Sequence, residues 1–401
     1  MRPHELQRTL LAMPQPPVLY ATLWPLFKQA PWRDGRHLKT LCWMVAGLLT
    51  SGWIALDEWA PCVAGRAVYA QSTVRRFSRW LSNARIDALR LYAALLRGAL
   101  GEFPDGRLHV ALDTTMLWET FCVVQVALVW RGRSVPVAWK VLRHRSASVA
   151  FQDYRGVLGF AARLLKGREV VLLADRGFIH AELLRWVKRT PDWHFCIRCK
   201  RDIGLFLGSG KKLALRLSAG ELRFYAGVFL GAARMPVELA VGWEKGAKEP
   251  WIIATDEAAG PPTLRSYGLR FCIEEGFWDH KSGGFQWESS RLRDAEALQR
   301  LCLVLAVATL VLVCQGAVVV ATGRRREVDS HWFRGLSYAR IGGNWIRRVL
   351  ARGGELIGKL ALPTARDPEP ARASRRQPNR SRWMEDLPCR HLFFFTAPSM
   401  V

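Results

Sequence analysis

Acidic residues are scarce in this chain. Asp and Glu number 34 against 59 Lys and Arg, a formal net charge of +25 over 401 residues. Such an excess repels itself in a compact body unless a polyanion neutralises it. Nucleic acid is the leading partner, because clustered Lys and Arg on phosphates release counterions; an anionic membrane surface comes second. A disulfide framework is also missing. Of the nine cysteines, Cys42, Cys62, Cys122, Cys272, Cys302 and Cys314 stand singly in apolar runs, as reduced thiols of a cytoplasmic protein do. Cys196 and Cys199 form one CxxC pair, but no second Cys or His pair completes a zinc site, and nearby His194 alternates in facing along a strand. The N-terminus lacks the layout of a signal peptide, since Glu5 and Arg8 interrupt it before a Pro-rich stretch. No internal repeat is present. One segment looks like a membrane span, residues 301–321, broken only by Thr309 and Gln315. That length would cross a bilayer, but Gln315 near its middle favours a buried core helix and no membrane partner.

Half of the residues are hydrophobic, enough for sizeable cores, and the length suggests two or three domains. Residues 1–104 are expected to form a helical, DNA-contacting domain. Within it Val74, Phe77 and Leu81 recur at helical spacing, while Arg75, Arg76 and Arg79 fall on another face. Residues 105–200 alternate differently. Strands are expected at 108–112, 122–130, 135–142, 170–174 and 194–199, with helices at 151–165 and 179–188. The turn Arg131-Gly132-Arg133-Ser134 joins the second and third strands, a hairpin signal. This order builds a mixed α/β sheet flanked by helices, the arrangement of the ribonuclease-H-like fold. Short alternating runs at 213–217, 222–228, 237–241 and 251–254 mark residues 201–258 as a β-rich insertion. Helices resume over 259–362, and the Pro-, Arg- and Ser-rich residues 363–401 read as a basic, disordered tail.

Two carboxylates close two apolar strands: Asp113 in Ala-Leu-Asp-Thr-Thr and Asp175 in Leu-Ala-Asp-Arg-Gly-Phe. Strand ends are where sites gather in open α/β sheets. A carboxylate leaving a buried strand needs water, a cap or a cation, and magnesium suits this hard-oxygen setting. Gly177 is expected to supply an unusual backbone conformation to the turn after Asp175. A third acid comes with company. On one helix over 267–281, Tyr267, Arg270, Glu274 and Lys281 fall within one face. A carboxylate set between groups that grip phosphates suits phosphoryl transfer.

These residues resemble the Tyr-Arg-Glu-Lys signature of the IS-four-type bacterial insertion-sequence transposases. Asp113 resembles that family's first catalytic Asp, Asp175 its second, and Glu274 its third acid. The β-rich insertion between Asp175 and Glu274 is similar too, and the likeness spans roughly residues 105–320. Phe271 stands where family members often carry Trp. The resemblance implies a DDE transposase in which Asp113, Asp175 and Glu274 hold two Mg2+ ions, with Mn2+ as a substitute. It implies cleavage of transposon ends and joining to double-stranded target DNA by cut-and-paste, and a homodimer on that DNA. Tyr267, Arg270 and Lys281 would hold end phosphates. Three other readings stay open: a domesticated, inactive DNA-binding protein, a ribonuclease-H-like nuclease that does not join, and a membrane-anchored basic protein.

Overall fold

The hydrophobic alternation of residues 108–255 becomes one ten-stranded mixed sheet. In this computed structural model residues 17–370 are described, apart from 65–66, 102–105, 282, 357 and 364–366, together with the backbone of 392–395. The Arg-rich stretch that includes Arg372, Arg375, Arg376, Arg380 and Arg382 lies outside the described residues. Two units divide the chain. Residues 104–277 and 372–401 form the sheet unit, and residues 1–103 and 278–371 the helical unit.

In the sheet unit, β1 (Leu108–Leu117), β2 (Phe121–Trp130) and β3 (Arg133–Arg143) form an antiparallel meander. Arg131 and Gly132 both take positive φ, 45° and 79°. A two-residue turn of this kind matches the twist of the strands it joins. β4 (Val170–Ala174) and β5 (Trp193–Arg198) then add parallel to β1. The resulting order β3-β2-β1-β4-β5 is the ribonuclease-H-like arrangement. Helix α6 (Phe151–Leu164) packs on β2 and β3, and α7 (Ala181–Arg189) on β5.

The insertion differs from the sequence reading in two ways. Its strands β7 (Leu222–Leu230), β8 (Met235–Gly242) and β9 (Trp251–Thr255) continue the same sheet, because β9 pairs antiparallel with β5. β10 (Leu392–Phe395) pairs with β7 at the far edge. Residues 213–217 are not a strand. The short β6 (Leu205–Phe206) takes the place beside β7, leaving those leucines half-buried and outside the ladder.

In the helical unit, α1 (Val18–Lys28), α2 (Gly35–Ser51), α3 (Leu56–Trp59), α4 (Ala70–Leu81) and α5 (Ala88–Leu100) precede α10 (Ala295–Ala321) and α11 (Tyr338–Arg352). Among the described residues α10 is the one helix long and apolar enough to cross a membrane by length and composition, with a mean hydropathy of 2.7 over its most apolar window. Yet 89% of that window is buried, and its neighbours are α2, α4, α5 and α11. Gln315 is buried within it. Buried Arg300, on the same helix, donates to the carbonyls of Leu81 and Ile86 and so ties the α4–α5 turn to it.

Glycines let α10 and α11 approach closely. A Cβ on Gly342 would lie 2.0 Å from the Leu312 carbonyl oxygen, and one on Gly316 1.9 Å from that of Tyr338. Backbone cannot yield as a side-chain tip can. Gly342→Ala is therefore expected to cost about 3 kcal/mol, read as a lowered denaturation midpoint with an unchanged slope. An unshifted midpoint would mean the two helices separate at no cost.

Candidate active site

Strand register sets the first two acids side by side. The parallel β1–β4 ladder ends at the pair Leu112 and Ala174, so the next residues along the two strands are Asp113 and Asp175. Asp113 is not at the end of its strand, as the sequence reading had it. β1 runs on to Leu117, because β2 remains as its antiparallel partner there, with Gln125 opposite Asp113. Oδ1 of Asp113 accepts the Thr114 amide at 2.8 Å. Past Asp175 the chain makes one 3-10 turn over Arg176–Phe178. Gly177 does not take positive φ there, and a Cβ on it would meet nothing within 4 Å. The backbone expectation for this glycine is corrected: the conformation of the turn does not require a glycine.

The third acid comes from two helices where one was expected. α8 (Pro261–Gly268) ends with Tyr267, and α9 (Phe271–His280) carries Glu274. Between them the amides of Leu269, Arg270, Cys272 and Ile273 bond three residues back, which tightens the chain and breaks the α-helical register. Leu264, Tyr267, Ile273 and Phe277 still face one core with Ala111, Leu173 and Ile253 of the sheet. Gly276 allows that approach, since a Cβ there would lie 2.2 Å from Ser134 Oγ on β3.

This packing aims Arg270 at two acids. Its guanidinium is buried, donates to Asp113 Oδ2 at 3.2 Å and to Glu274 Oε1, and lies 4.6 Å from the centre of the Phe271 ring. Burial works against its charge, but Tyr267, Glu274 and Asp113 outweigh that and raise its pKa. Tyr267 is fully buried, and its hydroxyl donates to Asp175 Oδ1 at 3.3 Å. Burial first, and then the Asp175 charge, push this phenol up, so it stays a donor. Both residues were expected to grip end phosphates. In the structure both are buried and pair with carboxylates. Glu275 turns away to Arg133 at 3.2 Å, which leaves Glu274 as the acid of α9 on this side.

Asp113 is the perturbed member. Its carboxyl is pushed up to about 6, mainly by burial; Arg270 and the Thr114 amide pull it down, while Glu274 and Asp175 push it up. A raised pKa means that the proton competes with any metal at this oxygen pair below about pH 6. Divalent-ion affinity is expected to fall about tenfold per pH unit under that value, with one proton released on binding. Mn2+ titrations in two buffers of different ionisation enthalpy would check it. Affinity flat down to about pH 5 would remove Asp113 from the ligand set.

A cavity of about 830 Å3 opens beside these acids. Asp113, Asp175, Asp202, Arg176, Lys200 and Arg201 all line it. The last three are cations, and they and Asp202 were missed in the sequence. The signal was there, since Lys200, Arg201 and Asp202 come soon after β5, the parallel neighbour of β4, and strand ends gather sites.

The remaining expected contacts lie in the helical unit. The division between the units falls inside α9, after Phe277, so Lys281 belongs to the other unit from Tyr267, Arg270 and Glu274. Burial lowers the pKa of its ammonium. On α4, Arg75 and Arg79 are not buried in the core. Arg76 is half-buried, its guanidinium 5.5 Å from the centre of the Phe77 ring, and Trp80 is core, donating to the His37 carbonyl.

A different grouping, Glu169, His194 and Glu257, offers three ligand atoms within 4.8 Å of one another. It sits where β4 and β5 begin, whereas Asp175 follows the end of β4. Arg107 already bridges its two glutamates, and His194 Nδ1 faces Asp256 at 3.2 Å. Cys196 and Cys199 are both buried and do not join a ligand grouping of this kind among the described residues.

Residues 125–311 match the family model of the transposase DDE domain. The match contains Asp175, Arg270 and Glu274 and begins after Asp113. No curated protein matches the chain. Among solved structures, a piggyBac transposase synaptic complex with hairpin DNA is similar at 10% identity and a TM-score of 0.45, over 84% of this chain and 76% of that one. The DDE-domain match and the ribonuclease-H-like strands overlap from within β2 to the end of β5, with β1 before the match.

Proposed function

We propose that this chain is a DDE-type DNA transposase that cuts transposon ends and joins them to target DNA. The observation that supports it best is that Asp113 and Asp175 each follow the last β1–β4 pair, Leu112 and Ala174, with Glu274 linked to Asp113 through Arg270, in a chain whose residues 125–311 match the DDE domain. The donor set fits a hard divalent cation: three carboxylates, one of them destabilised by burial and by its acidic neighbours. Asp113, Asp175 and Glu274 would hold Mg2+, with Mn2+ as substitute. When bound, such ions activate water or a 3′-hydroxyl and stabilise the leaving oxygen.

The chain's own residues do the positioning. Tyr267 fixes one oxygen of Asp175. Arg270 holds Asp113 and Glu274 at a set distance and keeps their charges partly neutralised. Arg176, Lys200 and Arg201 supply positive charge along the cavity, where a DNA strand must bring its phosphates. Two ends must be cut and joined in one event, so a homodimer on DNA is part of the proposal, as is the cut-and-paste route. The nuclease alternative shares the acids and differs in lacking the joining step.

The test uses a plasmid carrying this chain's gene with its native flanking DNA, incubated with purified protein and Mg2+. Excision of a defined segment with joined products in a second plasmid is expected. Cutting without joining would favour the nuclease, and DNA binding without cutting the domesticated protein.

A further inference from the structure

β2 is apolar from Phe121 to Trp130 with one exception, Gln125. A carboxamide inside an inner strand needs a partner, or it carries a cost that an aliphatic residue would not. Gln125 is 4% exposed, and its Nε2 is buried with no hydrogen-bond partner. Packing alone gives no reason for an amide here.

Strand register shows what lies beside it. In the antiparallel β1–β2 ladder Gln125 stands directly opposite Asp113, and residues so paired share one face of the sheet. Side chains two positions along a strand share that face too. Those neighbours are Ala111 and Ala127, which lie in one core with Tyr267, Ile273 and Phe277. Gln125 therefore faces the side that α8 and α9 cover, the side from which Arg270 reaches Asp113. On the other flank the β2–β3 ladder sets the fully buried Trp139. The amide thus has an indole on one strand beside it and a carboxylate on the other, and the carboxylate is the strong acceptor.

Acceptor capacity supplies the rest. A carboxylate offers about four acceptor positions. On Asp113, Oδ1 takes the Thr114 amide and Oδ2 takes Arg270. A divalent cation would use a third and leave one. We infer that Gln125 is a positioning residue for Asp113, its amide donating to the Asp113 carboxylate when a cation is bound. The bond would fix the orientation of the ligand and favour its charged form, as partners of metal-bound carboxylates do. The inference rests on the proposed cation site and adds an uncharged residue to it.

The experiment measures Mn2+ affinity and the denaturation midpoint of the full chain. Gln125→Met keeps the length of the side chain and removes the amide. Its midpoint is expected to hold or rise, because an unmatched buried polar group is lost, while Mn2+ should bind about tenfold more weakly. A residue with only a packing role would not move the two apart. The second readout is spectroscopic. With glutamine labelled by 15N, the side-chain amide signal of Gln125 is assigned by its loss in Gln125→Met or Gln125→Asn. It should shift when Mg2+ is added to the wild type and stay in place in Asp113→Asn. Unchanged Mn2+ affinity in Gln125→Met, or a wild-type amide signal that ignores Mg2+, overturns the inference. So does a fall of affinity and midpoint together, which would make Gln125 a packing residue. A wild-type chain that binds no Mn2+ would instead defeat the cation site itself, and this inference with it.

Discussion

Glu274→Gln is expected to abolish metal-dependent DNA cleavage, by on the order of a thousandfold or about 4 kcal/mol of transition-state stabilisation. The amide keeps the shape and the acceptor that Arg270 needs, but loses the charge that holds a cation. Asp175→Asn should behave alike, since it follows the strand that places it beside Asp113. DNA binding in gel shift should be unchanged or slightly tighter, because removing an acid lowers repulsion of phosphates. Glu275→Gln is the internal control. Its partner is Arg133, at the start of β3, and its cleavage rate should stay within about twofold. Wild-type cleavage by Glu274→Gln together with loss in Glu275→Gln would move the third acid one residue along α9.

Arg270→Ala should lower cleavage by about a hundredfold, the size of effect expected when a group that orients metal ligands is removed. Three consequences separate this role from a phosphate contact. The side chain is 5% exposed and occupied by Asp113 and Glu274, so the salt dependence of DNA binding should not change. Arg270 pulls the Asp113 carboxyl down; without it that carboxyl rises further, and activity should recover partly as pH is raised. Arg270→Lys should not rescue fully, because one ammonium cannot fork between two carboxylates as a guanidinium does. A salt slope reduced by about 1, with no pH recovery, would return Arg270 to the phosphate role read from sequence.

That contrast shows where sequence reasoning reached and where it stopped. That Asp113 and Asp175 follow apolar strand residues was legible, because an apolar run meeting an acid is a local signal; that β1 runs on past Asp113 was not, because it depends on β2. Nor was it legible which side chains would point at the two acids. Tyr267, Arg270 and Glu274 do fall together, but through a tightened junction at Leu269 and Arg270 that no periodicity predicts. Nor did the sequence show that Tyr267 and Arg270, read as DNA contacts, would be buried against carboxylates. The insertion was recognised as β-rich, yet its joining to the main sheet depends on β9 choosing β5, a pairing across more than fifty residues. The cavity cations Lys200 and Arg201 were legible as basic residues just beyond β5, but that they line the cavity with Asp113 and Asp175 depends on the parallel pairing of β5 with β4.

The central claim is that Asp113, Asp175 and Glu274 share one divalent-ion site. Mn2+ binding to the full chain, monitored by the paramagnetic relaxation of water, measures that directly, with no need for a cognate DNA end. Binding in the wild type should be lost or weakened by at least about tenfold in each of Asp113→Asn, Asp175→Asn and Glu274→Gln, and kept in His194→Ala. Wild-type binding in any one of the three acid variants, or loss in His194→Ala alone, would place the metal at Glu169, His194 and Glu257 or nowhere, and would contradict the proposed site.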